Sequence, residues 1–423
     1  MQIKTYKFFN QFTRQAMFEK VLGYVDQKSS VEFEIRRLKE VFNLKKIYRF
    51  DLGESPEGCS PAVREFLLKR LPQDELLEKS LTRYPDYTYS ALREKIAERF
   101  RVSRKWVIVS TGLGSIVDLI TRVFFDSKDM FLMPIPSFYL FEEYSERMGA
   151  IPIFLELKEK DQFKWTAETT DKFKSLMAKF RPKIFWIANP NNPTGQFIEE
   201  TVLEELIDVA LSYNSFVVVD EAYGEYTDPP GGVTSAAQFV PKYENLMVLR
   251  TFSKKFGLAG IRVGYMMCSS KEIIDAMLVH RQPFPVTPLA VELALIALDD
   301  QDFLNWSQRT MEKNRKVLCK NLNKLKFFSF IPSRTSLLMI KNGCIKSSIL
   351  SNLFKQRGII VSDLNISGLS GKDYVRITVG KKDANEYFIK ACAEIDDKYG
   401  GTDSKDTNMN AGHSLADIQR ILS

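Results

Sequence analysis

Histidine is nearly missing from this chain: two in 423 residues, His280 and His413. A histidine-based metal site and a Ser-His-Asp triad are therefore close to excluded by inventory. Cysteine is sparse as well. Cys59, Cys268, Cys319, Cys344 and Cys392 are scattered, odd in number and never spaced as Cys-x-x-Cys, which points to reduced, mostly buried thiols. No apolar run is long enough to span a bilayer, and the stretch Met1 to Arg14 lacks a secretory apolar core. The expected location is cytoplasmic, with no membrane partner. Charge of one sign is not in excess either. Lys and Arg total 60 against 53 for Asp and Glu, a formal charge of +7 with both signs interleaved. That hints at anionic ligands and makes no case for nucleic acid. Any chemistry must be carried by residues other than histidine, and no metal is expected.

What is present reads as a globular chain of two domains, with 44% hydrophobic and 27% charged residues. Residues 1–48 read as helical, with Val31–Val41 the clearest amphipathic stretch. Asp51 to Pro61 is turn-rich. From Trp106 onward, short apolar runs alternate with helical stretches: Val107–Ser110, Met130–Met133, Ile151–Leu155, Ile184–Ala188, Phe216–Asp220 and Met247–Thr251. Such continuous apolar strands argue for a mostly parallel, doubly wound sheet covered on both faces, an α/β class. After about residue 285 the texture changes. Pro288–Leu298 and Phe303–Leu325 read as helices, the second long enough to join domains. Leu337–Ile340, Ile359–Val361 and Tyr374–Thr378 read as strands, with helices at Ser347–Arg357 and Ala384–Asp397. This suits a smaller α+β domain. From Gly400 the chain is rich in Gly, Ser, Asp and Asn and reads as a mobile tail, with a short helix at Leu415–Leu422.

Ligands of open α/β sheets bind beyond the carboxyl ends of the strands. After Val107–Ser110 comes Gly112-Leu113-Gly114-Ser115 and a helix, whose free N–H groups and dipole suit a phosphate. After Ile184–Ala188 comes Asn189-Pro190-Asn191-Asn192-Pro193-Thr194-Gly195, which alone could be a turn. Asp220 ends an apolar strand, a costly place for a carboxylate without a cationic partner. After Met247–Arg250 comes Thr251-Phe252-Ser253-Lys254-Lys255-Phe256-Gly257 and then Arg262, which alone could be a solvated basic turn. Their joint occurrence at strand ends asks for one explanation.

Asn191-Asn192-Pro193-Thr194-Gly195, Asp220-Glu221-Ala222-Tyr223 and Ser253-Lys254-Lys255-Phe256-Gly257-Leu258-Ala259-Gly260-Ile261-Arg262 resemble, in order, the signature blocks of fold-type I aminotransferases of classes I and II. Tyr84-Pro85-Asp86, Gln282-Pro283-Phe284 and Tyr374-Val375-Arg376-Ile377-Thr378-Val379-Gly380 bring the histidinol-phosphate aminotransferase subfamily nearest. The resemblance covers about Asp51 to Lys390. It implies an aspartate-aminotransferase-like large domain plus a smaller α+β domain. The expected division is a helical segment at 1–50, the N-terminal part of the small domain at 51–82, a large cofactor-binding domain at 83–287, the C-terminal small domain at 288–399 and a tail at 400–423.

The implied cofactor is pyridoxal phosphate, and the implied reaction moves an amino group between an amino acid, or amino phosphate, and a 2-oxo acid. Lys254 matches the Schiff-base lysine, a nucleophile and then a general base; Lys255 stands at a position the family leaves variable. Asp220 matches the aspartate that keeps the pyridine nitrogen protonated. With Tyr223, these are the expected catalytic residues. Arg262, Thr251, Ser253 and the N–H groups near Gly114, Ser115 and Ile116 would clamp the phosphate. Asn192 and Tyr223 would bond the ring's phenolic oxygen, and Phe138 would stack on the ring. Asn192–Pro193 is expected to be cis. Tyr84 matches a tyrosine that reaches the neighbouring subunit's phosphate, which implies a homodimer. Arg376, with Asn192, would hold the substrate's acidic group.

Two positions depart from the subfamily. Gly53-Glu54-Ser55-Pro56 stands where Asn-Glu-Asn-Pro is usual. Ser362, after Gly358-Ile359-Ile360-Val361, stands where an arginine would help bind a substrate phosphate. The cofactor chemistry is untouched by this, and the substrate is not. Decarboxylases of phosphothreonine and cyclases of arginine derivatives share the fold, so a decarboxylase or cyclase is the alternative reading. A scaffold without catalysis has no reason to keep Asn192, Asp220, Tyr223, Lys254 and Arg262 together.

Overall fold

Runs of β-branched and aromatic residues become strands here because both of their faces can be buried. The computed structural model describes residues 31–72, 74–229 and 232–399. The first strand, β1 (Tyr48–Arg49), belongs to the second domain. The next seven form one sheet: β2 (Val107–Ser110), β3 (Met130–Ile135), β4 (Ile151–Glu156), β5 (Ile184–Ala188), β6 (Phe216–Asp220), β7 (Leu246–Thr251) and β8 (Gly264–Met267). Their order is β2-β8-β7-β6-β5-β3-β4. All neighbours are parallel except β8, which runs against both β2 and β7. Side chains alternate between two apolar layers, as a period of two demands. Val217, Val219, Leu246 and Val248 face one, with the helices Ser90–Phe100, Ala167–Phe180, Glu200–Ser212 and Pro288–Asp299. Val218, Trp186, Met247 and Leu249 face the other, with Gly112–Phe124, Leu140–Arg147 and Lys271–His280.

The smaller domain has an antiparallel sheet ordered β12-β13-β10-β9, built from β9 (Phe328–Ile331), β10 (Leu337–Asn342), β12 (Ser362–Asp363) and β13 (Val375–Thr378). A parallel pair joins β1 to β11 (Ile359–Ile360). Helices Ser347–Gln356 and Lys382–Tyr399 pack on this core through Leu350, Phe354, Phe388 and Ile395.

The packing divides the chain differently from the expected boundaries. Pro288–Asp299 is apolar nearly all round, and Ala290, Leu293, Ala294 and Leu298 bury in the large core. Helix Gln301–Leu322 starts there with Phe303 and Leu304 and ends in the small core with Met311, Leu318 and Leu322. The changeover therefore lies inside that helix, not before Pro288. Val63 and Phe66 also join the large core, whereas Phe50 joins the small one. Helical structure expected up to residue 48 ends at Val41, and β1 follows. Strands β8 and β9 have no counterpart in the sequence reading. Residues 1–30, the tail and its helix at Leu415–Leu422 lie outside the described residues. Among the described residues no helix is long and apolar enough to cross a membrane.

Trp186 tests this core. It is fully buried on β5 and stacks on Phe141 with ring centroids 5.1 Å apart. Trp186→Ala leaves a cavity that the sheet cannot close, so urea denaturation should show a loss of about 3–5 kcal/mol. Trp186→Phe should cost far less, because the indole N–H it removes has no hydrogen-bond partner among the described residues.

Candidate active site

Alternation along the sheet decides which residues can meet at its carboxyl end. Asp220 closes β6 on the face of Val218, the side covered by helix Gly112–Phe124. It is 4% exposed, and its carboxylate accepts one hydrogen bond, from the Ala222 N–H at 2.8 Å. No cation among the described residues comes within ion-pair distance of it. Burial pushes the Asp220 carboxyl up to about 7, against the pull of the Ala222 N–H and the Lys254 charge. Lys254 follows β7. Its amine donates to the Leu52 carbonyl at 3.0 Å and stands 5.3 Å from the centre of the buried Tyr223 ring.

A segment from the other domain closes over these groups. The Gly53 N–H donates to Thr378 Oγ1 at 3.0 Å. Gly53 has φ +67°, and a Cβ there would lie 2.3 Å from the Tyr223 hydroxyl and 3.3 Å from Lys254 Nζ. Only glycine lets the backbone pass so close. Sequence reasoning missed the part played by Asp51, Leu52 and Gly53. Their contacts are made by main-chain atoms, and the signal was one glycine in a turn-rich stretch.

A second group of residues forms an anion cradle. The Arg262 guanidinium donates to Ser253 Oγ at 3.3 Å and to the Ala259 carbonyl at 3.1 Å. It lies against the start of helix Gly112–Phe124, since a Cβ on Gly112 would be 2.5 Å from Arg262 Nη2. Thr251 Oγ1 accepts from the Ser253 N–H at 3.1 Å, and the Ser110 and Ser115 hydroxyls are 2.9 Å apart. Gly114 keeps the first turn open, with only the Tyr144 hydroxyl 4.0 Å from where its Cβ would be. Ile116 is buried, so its place in the cradle is that of its main chain, and the unpaired donors of the first helical turn are the N–H groups up to Gly114. A guanidinium, hydroxyls and a positive dipole end at one place fit a phosphate group.

Of the remaining expected residues, Asn192 and Arg376 meet, Phe138 packs on the apolar layer of Val218, and Tyr84 stands elsewhere. Asn192–Pro193 is cis, as expected. Asn192 Oδ1 accepts from Arg376 Nη1 at 2.7 Å, which joins the loop after β5 to β13. Arg376 also donates through Nη2 to the Asp51 carbonyl and to Ser362 Oγ at 3.1 Å, while its Nε has no partner among the described residues. Among the described residues no carboxylate pairs with it, so it is not half of an internal salt bridge. Phe138 is half-buried and meets Phe141 edge-on, centroids 5.6 Å apart. Tyr84 is the exception: it is 81% exposed and stacks on Phe284 at 4.6 Å. Lys255 turns to the opposite side, donating to the Glu225 carbonyl at 2.7 Å.

The family model for aminotransferase class I and II matches residues 45–391. The chain belongs to this family. It is a pyridoxal-phosphate-dependent aminotransferase with an aspartate-aminotransferase-like α/β fold. Histidinol-phosphate aminotransferase 2 of Archaeoglobus fulgidus is 32% identical over 359 residues, 84% of this chain and 95% of that one. Histidinol-phosphate aminotransferase of Sinorhizobium meliloti, solved in complex with pyridoxal-5'-phosphate, superposes with a TM-score of 0.76 at 20% identity, covering 92% of this chain and 98% of that one. Aspartate aminotransferase of Thermus thermophilus, solved with maleate, gives a TM-score of 0.71 at 20% identity, over 87% and 97% of the two chains.

The raised Asp220 carboxyl predicts a pH effect on the cofactor-free aminotransferase. A carboxyl whose folded value lies above its unfolded one costs nothing while both states are protonated. The penalty grows as pH climbs from the ordinary carboxylate range through about 7. Asp220→Asn should therefore match wild type near pH 4 and exceed it at pH 8 by a few kcal/mol. Thermal melts of the two apoproteins across this window check it. Parallel curves would mean that the carboxylate is better solvated than its burial indicates.

Proposed function

We propose that this aminotransferase moves an amino group between a carboxylate amino acid and a 2-oxo acid, with Lys254 as the residue that holds the cofactor. The observation that carries the substrate reading is Arg376, a strand arginine with neutral acceptors and no carboxylate partner among the described residues. Pyridoxal phosphate supplies the electron sink when its ring nitrogen stays protonated. Asp220 would hold that proton, and its burial then becomes one half of an ion pair. Arg262, Ser253, Thr251 and the first helical turn at Gly114, Ser115 and Ile116 would bind the phosphate. Phe138 would cover the ring, and Tyr223 with Asn192 would bond its phenolic oxygen. Released, the Lys254 amine would carry the proton to and from the substrate carbon. Arg376 and Asn192 would orient the substrate carboxylate.

Relatives named as histidinol-phosphate aminotransferases favour an amino phosphate instead. Ser362 weighs against that. It lies opposite Arg376 in the β12–β13 register and spends its hydroxyl proton on the Asp51 carbonyl at 2.8 Å. Lys372, four residues before Arg376, is engaged with Glu156 at 3.4 Å. A missing second arginine should cost a dianionic substrate roughly 2 kcal/mol, about thirty-fold in kcat/KM.

The assembly is read as a homodimer in which Tyr84 serves the partner's site, because Tyr84, Tyr87 and Phe284 form an exposed aromatic patch. Five free cysteines suit a reducing, cytoplasmic setting.

Borohydride reduction of the yellow holoenzyme should fix the cofactor on the Lys254 peptide, and Lys254→Ala should fold yet not turn over. Amine transfer should be faster from a panel of carboxylate amino acids than from histidinol phosphate. A wide margin for histidinol phosphate would reverse the reading of Ser362, and carbon dioxide release in place of amine transfer would favour a decarboxylase. Tyr84→Phe should loosen the cofactor by about 1 kcal/mol without unfolding the protein. Sedimentation at assay concentration should give a dimer, and a fully active monomer would remove Tyr84 from the site.

A further inference from the structure

The strand-end motifs come in doubled charges, Asp220-Glu221 and Lys254-Lys255, and only the first of each pair faces the site. The others meet behind the sheet. Alternation sends Glu221 and Arg250 to the face of Val219 and Val248. Arg250 is fully buried. Its Nε donates to Glu221 at 2.7 Å, and its Nη1 to Glu225 at 3.1 Å and Asp228 at 3.3 Å. Arg99 reaches Asp228 from helix Ser90–Phe100. Gly224 admits the guanidinium, since a Cβ there would lie 2.7 Å from Arg250 Nη2. Lys255 is 3% exposed and closes the group, donating to the Glu225 carbonyl at 2.7 Å and to Gln308 Oε1 at 3.1 Å. Gln308 in turn donates to the Tyr226 and Asp228 carbonyls.

So many buried charges are weak evidence for stability, because their desolvation consumes most of what their pairing returns. What the cluster does is join four segments: the loop that starts at Asp220, β7 with the turn that carries Lys254, the helix that links the domains and, through Arg99, helix Ser90–Phe100. Three cations, Arg99, Arg250 and Lys255, stand with three anions, Glu221, Glu225 and Asp228. Removing one member leaves another unpaired in a dry place.

We infer that Lys255 is a positioning residue: through Glu225 and Gln308 it fixes the turn that presents Lys254 to Asp220 and Tyr223. This rests on the assignment of Lys254 as the cofactor lysine. Lys255 touches none of the reacting groups. It holds the main chain one residue away from the amine that must reach them, and a displacement of about 1 Å there can cost up to a hundred-fold in rate.

The test compares holoenzymes of wild type, Lys255→Met and Lys255→Arg. Lys255→Met keeps the length of the side chain and loses its charge and its donors. Its kcat should fall on the order of ten-fold or more with KM little changed, because reacting geometry is lost and substrate binding is not. The pH midpoint of the visible cofactor band should move, since the distance from Lys254 to Asp220 and Tyr223 sets it. Lys255→Arg should recover part of both. A lower melting temperature alone, with kcat and band midpoint per loaded subunit as in wild type, overturns the inference. If Lys255→Met does not fold, Gln308→Leu, which removes the amide acceptor of Lys255, is judged by the same two readouts. Borohydride mapping of wild type separates the two levels. An adduct on Lys255 sinks the assignment of Lys254 itself. An adduct on Lys254 with unmoved kcat and spectrum sinks only the positioning role.

Discussion

A carboxylate buried at the end of the strand in the middle of the sheet is the constraint on which the rest of the site depends. Asp220 is flanked by β5 and β7 and roofed by apolar residues, so water cannot solvate it. One backbone N–H is not enough, and its carboxyl is driven upward until a positive group is brought near. The fold supplies Lys254 on the next strand end, and the ring nitrogen of a bound cofactor would supply a second positive charge. The parallel order explains why these residues gather. Loops leaving β5, β6 and β7 at the same edge put Asn192, Asp220 and Lys254 side by side, although they are separated by dozens of residues in the chain.

Much of this was legible in the sequence, and what was not has a common cause. The strands β2, β5 and β6 coincide with their apolar runs because both faces of each are covered, so no polar residue interrupts the pattern. Gly264–Met267 and Phe328–Ile331 are too short to show a period. The domain boundary escaped because periodicity announces a helix and does not say which core will take its apolar face. In the site, side chains with distinctive chemistry were visible: Lys254, Asp220, Asn192, Arg262 and Arg376. Contacts made by peptide groups were not. The carbonyls of Asp51 and Leu52 leave no mark on residue type, and neither does the role of Gly53 beneath Tyr223. Arg250 carries no sign in the sequence beyond its place in the apolar run Met247–Thr251. Its three carboxylate partners come from a loop whose course cannot be inferred from the order of residues.

The segment 51–53 also explains how two domains make one site. Its ends are tied to the small domain: β1 pairs with β11, the Asp51 carbonyl receives Ser362 and Arg376, and the Gly53 N–H meets Thr378. Its middle touches the large domain through the Leu52 carbonyl and Lys254. Any rotation of the small domain is therefore felt at the reactive amine. Arg376 rides on the small domain and Asn192 on the large, and their 2.7 Å contact is the second such tie. A substrate carboxylate between them would bridge both domains. Binding energy from a group remote from the reacting carbon could then be used to hold the catalytic arrangement closed.

The two kinds of cation are used according to their physics. Arginine stands where a fixed charge holds, or would hold, an anion in one orientation: Arg250 among its carboxylates, Arg262 beside the helix start and Arg376 on β13. Its planar fork stays charged under all conditions the protein meets, so burial cannot neutralise it. Lysine serves where an amine must react or where its proton is to be lent. Lys254 has a flexible stem and a compact head, which would let it reach a carbon, leave it and return. Burial pulls Lys255 down to about 8 while Glu225 and Asp228 hold it up, so its charge depends on the cluster that encloses it. Exchanging the two types would defeat both uses. An arginine at 254 could bind the cofactor's anion and never its aldehyde. A lysine at 250 lacks the planar fork that meets Glu221, Glu225 and Asp228 at once behind the strand ends that the site is built on.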